Sequence, residues 1–397
     1  MRVLLDYRPA LRAPTGVGAL VHHLAAALAD PDLGGPGGEP VEVTLFSSSW
    51  KDRLGPLADR GLPAAVAAID RRIPVRLLNV AWHRAEWPPI EALTRRRFDV
   101  VHSSHPLLLP SRRAAQVVTI CDLDFLAHPD RAWKEIRRDY PALARRHARR
   151  AAHVVVPSRY TAGEVARHLG VPRERIAVCP CGAPSWSPRP AAPEDGHLLF
   201  VGSLARRKNV AGLLAAYARL AARRTRVPDL VLAGGEAPDG ADAEWRRALE
   251  DPRLAGRVRR TGYVDAATLR SLYAGACALV LPSLDEGFGL PALEAMTLGV
   301  PVVASDRGAL PEVVGEAGIL VDPTDPAALA HALGLLLDEP ELRVRCAARG
   351  PAQARKFDWR TSARILRAAY RQAIETRAGR AAAEPADPAA APGSPAP

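Results

Sequence analysis

Long apolar runs are missing from this 397-residue chain. None approaches the ~18 residues that span a bilayer. The amino terminus, M-R-V-L-L-D-Y-R-P-A, meets charge too early for a secretory signal. Cysteine is scarce: the five residues at 121, 179, 181, 277 and 346 form neither an even set nor a C-x-x-C pair. That excludes a disulfide framework, and Cys179 and Cys181 lack the partner ligands of a zinc site. The expectation is a soluble protein of a reducing cytoplasm. Lysine is scarcer still, with only four (51, 134, 208 and 356), so arginine carries nearly all the positive charge.

What is present is enough for two cores. The chain is 48% hydrophobic and 24% charged, which excludes a wholly disordered or collagen-like polymer. The net charge of +11 is unevenly spread: +9 falls in residues 1–182 and +2 in the remainder. Residues 131–150 are densest, with eight basic and two acidic side chains. The default reading of this run is a solvated helix face, with an anionic membrane surface as the functional alternative. A nucleic-acid-binding protein would rest on net charge alone, and no nucleic-acid partner is expected.

Short β-branched runs alternate with longer amphipathic stretches, the pattern of parallel α/β layers. Strands are expected at 2–5, 41–46, 99–102, 116–120, 153–156 and 175–179. A second series falls at 197–201, 229–233, 257–262, 277–281, 300–304 and 318–321. The proline-rich segment 183–196 reads as a linker between two doubly wound units, 1–182 and 197–357. A terminal helix is expected at 358–376, and the Ala/Pro/Gly-rich tail 379–397 cannot bury a core.

The chemistry concentrates in the second unit. P-S-L-D-E-G-F-G-L-P-A-L-E (282–294) follows a buried strand and opens a short helix that Gly299 closes. Pro291 suits the first helical turn. Gly287 and Gly289 permit a tight turn, and the amides of Gly287, Phe288, Gly289 and Leu290 suit a phosphate group at a helix amino terminus. Glu286 and Glu294 bracket that place as acceptors for sugar or ribose hydroxyls. Taken singly, each acid could merely be solvated or complement the helix dipole. In F-V-G-S-L-A-R-R-K-N-V (200–210), Arg207 and Lys208 lie between a strand end and a helix start, where fixed cations can neutralise a diphosphate without metal. Both segments lie at carboxyl ends of strands, where open α/β sheets bind ligands.

Two further segments belong to the first unit. In P-T-G-V-G-A-L (14–20), Gly16 and Gly18 open a helix after the first strand without the third glycine of a dinucleotide fingerprint; they allow close approach of a ligand in the cleft. Asp122 and Asp124 form a D-x-D at a strand end, a pattern common by chance, and no metal is expected there.

E-G-F-G-L-P-A-L-E-A-M with G-V-P-V-V-A-S and G-A-L-P-E-V-V-G-E-A-G-I-L-V-D-P resembles the signature of glycosyltransferase family 4. T-G-V-G, G-S-L-A-R-R-K-N, T-G-Y-V-D and P-S-R-Y-T-A-G-E-V-A-R-H-L-G-V-P extend the likeness over nearly the whole chain except the tail. The resemblance implies a GT-B fold, two Rossmann-like domains facing a cleft. It implies a retaining, metal-independent glycosyltransferase that takes a nucleotide-diphosphate sugar, GDP-mannose being the first expectation, and no other cofactor. It places Glu294 at the donor ribose, Glu286 and the 287–290 amides at the donor sugar and phosphates, and Arg207 and Lys208 on the diphosphate. Gly16 and Gly18 fall on the donor and acceptor side. Members of the family commonly have His-Asp where this chain has Cys121-Asp122, which puts a neutral thiol beside the transferred sugar. The acceptor expected is a glycan or lipid-linked sugar, with peripheral contact at the inner face of the membrane. The alternatives are an epimerase or phosphorylase of the same fold, or a weakly active relative that binds donor without transfer.

Overall fold

The computed structural model describes residues 1–11, 16–34, 39–127, 139–193, 195–236 and 243–383. Part of the basic run (131–138) and most of the tail (384–397) lie outside the described residues.

Two parallel sheets organise the chain. The first contains β1 (Arg2–Asp6), β2 (Glu42–Ser48), β3 (Ala67–Arg71), β4 (Val100–Ser103), β5 (Ala115–Thr119), β6 (His153–Val156) and β7 (Ile176–Val178), in the order β3-β2-β1-β4-β5-β6-β7. The second contains β8 (His197–Val201), β9 (Leu230–Ala233), β10 (Val258–Gly262), β11 (Ala276–Leu281), β12 (Val302–Ser305) and β13 (Ile319–Val321), in the order β10-β9-β8-β11-β12-β13. The inner strands are buried along their length, β4, β6, β9 and β12 completely, as a sheet covered by helices on both faces requires. Chain order reverses between β1 and β4 and between β8 and β11, which opens a crevice at the carboxyl edge of each sheet.

The alternating pattern anticipated this architecture, with one omission. β3, A-A-I-D-R, carries a single β-branched residue and gives little strand signal of its own. Its backbone is captured by the edge of β2, in register from Thr44↔Ala67 to Ser48↔Arg71.

The carboxyl-terminal helix, Trp359–Ala383, runs beyond the expected 376 and lies on the first domain. Tyr370 packs edge-on against His102 of β4, and its hydroxyl is 2.7 Å from His102 Nδ1. Ser362 Oγ donates to Pro180 O at 2.5 Å. The last helix thus straps the end of the second domain to the sheet of the first. The linker is anchored too: Arg189 N donates to Leu298 O at 3.1 Å.

Candidate functional site

Two loops at the crevice of the second sheet build the centre of the site. After β8 the chain makes a single 3-10 turn, Arg206–Lys208, and enters the helix Val210–Ala222 through Asn209. Asn209 adopts φ +54°, and its side chain caps the new helix by accepting from Gly212 N at 3.3 Å. After β11 the loop leads through Gly289, at φ +104°, into the helix Leu290–Thr297 with Pro291 in its first turn. Leu284 N donates to Arg207 O at 2.7 Å and ties the loops together.

That junction seats a buried ion pair. Lys208 Nζ donates to Glu286 Oε2, and Ser283 Oγ donates to the same oxygen at 3.3 Å. The two side chains are 8% and 13% exposed. Arg207 bridges outward: Nη1 lies 3.7 Å from Glu286 Oε2, and Nη2 lies 3.9 Å from Asp122 Oδ2 of the first domain. Burial disfavours the charge on Glu286, but Lys208 and Arg207 outweigh it and hold the carboxyl below its ordinary range. Burial lowers the Lys208 ammonium against the pull of Glu286. It also raises Asp122, against the opposing influence of Arg207.

Glu294 occupies a separate niche. Tyr273 OH donates to its Oε2 at 2.6 Å, and burial pushes the carboxyl up to about 7 despite that bond. A carboxylate of this kind keeps lone pairs for ligand hydroxyls.

The first domain closes the site from the opposite wall. A Cβ on Gly287 would stand 1.9 Å from Cys121 O, so only glycine permits this approach. Ser158 Oγ and Thr161 Oγ1 donate to Gly287 O at 2.8 and 3.2 Å. Burial pushes the Cys121 thiol up to about 12, so it is a neutral S–H at physiological pH. A cavity of about 700 Å³ opens beside this junction, lined by Asp122, Asp124, Arg145, Glu164, Arg207 and Asp285 among others.

The fold therefore gathers Cys121, Asp122, Arg207, Lys208, Glu286 and Gly287, which sequence reasoning had placed in separate motifs. Gly16 faces Leu290, its Cβ direction pointing at Cδ1 3.9 Å away. A Cβ on Gly18 would stand 2.8 Å from Pro9 O, and the Phe288 ring is buried edge-on against Phe357 while its amide belongs to the loop at 285–288. Sequence reasoning did not single out Ser158, Thr161, Tyr273 or Ser283; a lone hydroxyl carries no signal until its partner is known. No three metal-ligating side chains gather among the described residues.

The described arginines of the basic run are engaged within the first domain. Arg150 Nη2 donates to Glu86 Oε2 at 2.8 Å, and Arg149 Nε donates to Leu169 O at 2.9 Å. Arg146 lies 3.5 Å from Glu86, and Arg145 Nε donates to His168 O at 3.3 Å. No helix among the described residues is long and apolar enough to cross a membrane.

Residues 14–185 match the family model described as Glycosyltransferase Family 4, and residues 195–339 match that described as Glycosyl transferases group 1. The chain is 32% identical over 384 residues to the O-antigen chain mannosyltransferase B of Escherichia coli, covering 90% of this chain and 96% of that one. Its fold is similar to sucrose-phosphate synthase of Thermosynechococcus elongatus, with a TM-score of 0.73 and 23% identity over 94% of this chain and 99% of that chain. It is also similar to Anabaena HepE in complex with UDP and glucose, with a TM-score of 0.67 and 18% identity over 96% and 100% of the two chains.

Proposed function

The chain belongs to the group 1 glycosyltransferases of family 4 and has the GT-B fold; from that premise we propose that it transfers mannose from GDP-mannose to a glycan or lipid-linked acceptor, with retention and without metal. The observation that carries this reading is the buried Lys208–Glu286 pair, extended by Arg207 to Asp122 across the cleft.

In this reading Arg207 and Lys208 face the donor diphosphate, whose negative charge grows as the bond from the sugar C1 to the phosphate oxygen breaks. Fixed cations in a dry cleft stabilise that charge more in the transition state than in the ground state. The acceptor hydroxyl forms the new bond to C1 on the same face, and its proton passes to the departing phosphate oxygen. Glu286, held ionised by its cations, accepts from hydroxyls of the donor sugar, and Glu294 accepts from the ribose. The Cys121 thiol, a weak donor, takes the position beside the transferred sugar. The 700 Å³ cavity next to Asp122 and Arg207 is where we place the acceptor. The mannosyltransferase named above supports the donor sugar, and the UDP and glucose bound by HepE support a nucleotide-sugar donor.

A panel of nucleotide sugars assayed by thermal stabilisation tests the donor, and NMR of the product tests the anomeric outcome. Stabilisation by GDP-mannose with an α-linked product is the expected result; stabilisation by UDP-sugars alone would reassign the donor. The +9 charge of residues 1–182 supports peripheral contact with an anionic membrane. Flotation on phosphatidylglycerol vesicles should show binding that falls with salt. No binding at low salt overturns the membrane contact and leaves a freely soluble acceptor.

A further inference from the structure

Two segments have no part in the chemistry above: P-S-R-Y-T at 157–161 in the first domain and G-A-L-P-E at 308–312 in the second. The fold brings them together across the cleft. Glu312, in the helix Leu310–Val314, accepts from Arg159 N at 3.1 Å through either carboxylate oxygen and from Tyr160 N at 3.4 Å. Those amides open the helix Arg159–Leu169, where unpaired N–H groups and the helix dipole favour a negative charge. Among the described residues, every hydrogen bond made by the Glu312 carboxylate crosses the cleft.

Both partners are mounted directly on the donor loop. A Cβ on Gly308 would stand 2.5 Å from Glu286 O, and Ala309 N donates to that oxygen at 2.8 Å. The segment carrying Glu312 is therefore a backbone neighbour of Glu286. From the other side, Tyr160 OH donates to Asp285 Oδ1 at 2.9 Å, and the hydroxyls of Ser158 and Thr161 hold Gly287 O. Fixing that carbonyl fixes the whole peptide plane, because C=O and N–H are rigidly opposed in a trans peptide. The direction of the Phe288 N–H is thus set by hydroxyl groups of the first domain.

We propose that Glu312 is a positioning residue: by latching the helix at 159–169 to the second domain, it brings Ser158 and Thr161 onto Gly287 and shapes the donor loop 285–288 only when the cleft is closed. This inference rests on the reading that this loop holds the donor sugar and diphosphate. It gives the two domains a shared element, so that closure and donor-loop geometry become one event.

The test uses the full chain with Glu312→Gln, Ser158→Ala and the double variant. Small-angle scattering reads closure, with and without 1 mM GDP or UDP. Release of nucleoside diphosphate from whichever nucleotide sugar stabilises the wild type reads turnover. Glu312→Gln keeps the shape and removes the charge, so melting should stay close to wild type. The expected results are a larger radius of gyration than wild type and a turnover lower by roughly ten- to a hundredfold, the scale of a small misplacement of a reacting group. The double variant should be little worse than either single one, because both act through the same closure. Glu312→Asp should recover part of the loss. Wild-type scattering and turnover in Glu312→Gln would overturn the proposal, as would strictly additive losses. If no nucleotide stabilises the wild type, the donor reading fails by itself, and an unchanged scattering profile in Glu312→Gln still overturns the latch.

Discussion

Gly287 of the second domain lies with its Cα against the carbonyl oxygen of Cys121 in the first, so close that an added methyl would stand 1.9 Å from that oxygen. The two residues come from loops at the carboxyl edges of different sheets and meet across the cleft. Gly287→Ala should therefore force the loops apart while leaving each domain folded. A turnover loss of about a hundredfold is expected, with an unchanged circular dichroism spectrum. Wild-type turnover in this variant would show that the contact is dispensable.

The Lys208–Glu286 pair makes a prediction about stability as well as activity. Lys208→Ala leaves a buried carboxylate with Arg207 at 3.7 Å as its remaining cation and the Ser283 hydroxyl at 3.3 Å, and breaking a buried pair in this way costs about 3–5 kcal/mol. Chemical denaturation should register this as a lower midpoint. The double variant Lys208→Met with Glu286→Gln should recover much of the stability without recovering transfer. Arg207→Ala should instead weaken donor binding, by about 1–3 kcal/mol, the size of a lost charge-assisted hydrogen bond, as measured by calorimetry.

Glu294 should impart a pH dependence to donor binding. Its carboxyl is raised from an ordinary value of 4.5 to about 7, so the folded protein holds a proton there that the unfolded chain has lost. Raising the pH from about 4.5 through about 7 removes the stability which that proton linkage contributes, because the native state then binds more protons than the unfolded one. The same rise ionises the group and improves it as an acceptor for ribose hydroxyls. The Michaelis constant for the donor should therefore fall as pH rises through 7. Glu294→Gln should abolish that step and raise the constant more than it lowers turnover, since a ribose contact is made equally in ground and transition states. A step retained in the variant would assign it to another group.

Chelation distinguishes the electrostatic mechanism from a metal-assisted one. Activity should survive EDTA, because Arg207 and Lys208 meet the need for positive charge. Loss of activity on chelation, restored by manganese, would transfer the role to Asp122 and Asp124.

Much of this protein was legible along the chain. The alternation of apolar runs and amphipathic stretches specified parallel sheets, because strand and helix periods depend on residues only a few positions apart. The cassette at 282–294 announced its turn and helix start through Gly289 and Pro291, whose backbone preferences are intrinsic, whereas glycine at 287 is required by the contact with Cys121 O that domain packing makes. β3 was not legible, since A-A-I-D-R becomes a strand only by pairing with β2. The arginines at 145–150 read as a solvated basic face, and all four are exposed; what was not legible was their partners, Leu169 O for Arg149 and Glu86 for Arg150. Lys208 and Glu286 meet because β8 and β11 are neighbours in the sheet although two strands separate them in the chain. Glu312 meets the amides of Arg159 and Tyr160 only because the two domains face one another. Local sequence determines backbone geometry and which faces are buried; which charge meets which partner is decided by strand order and domain packing, through contacts between residues far apart in the chain.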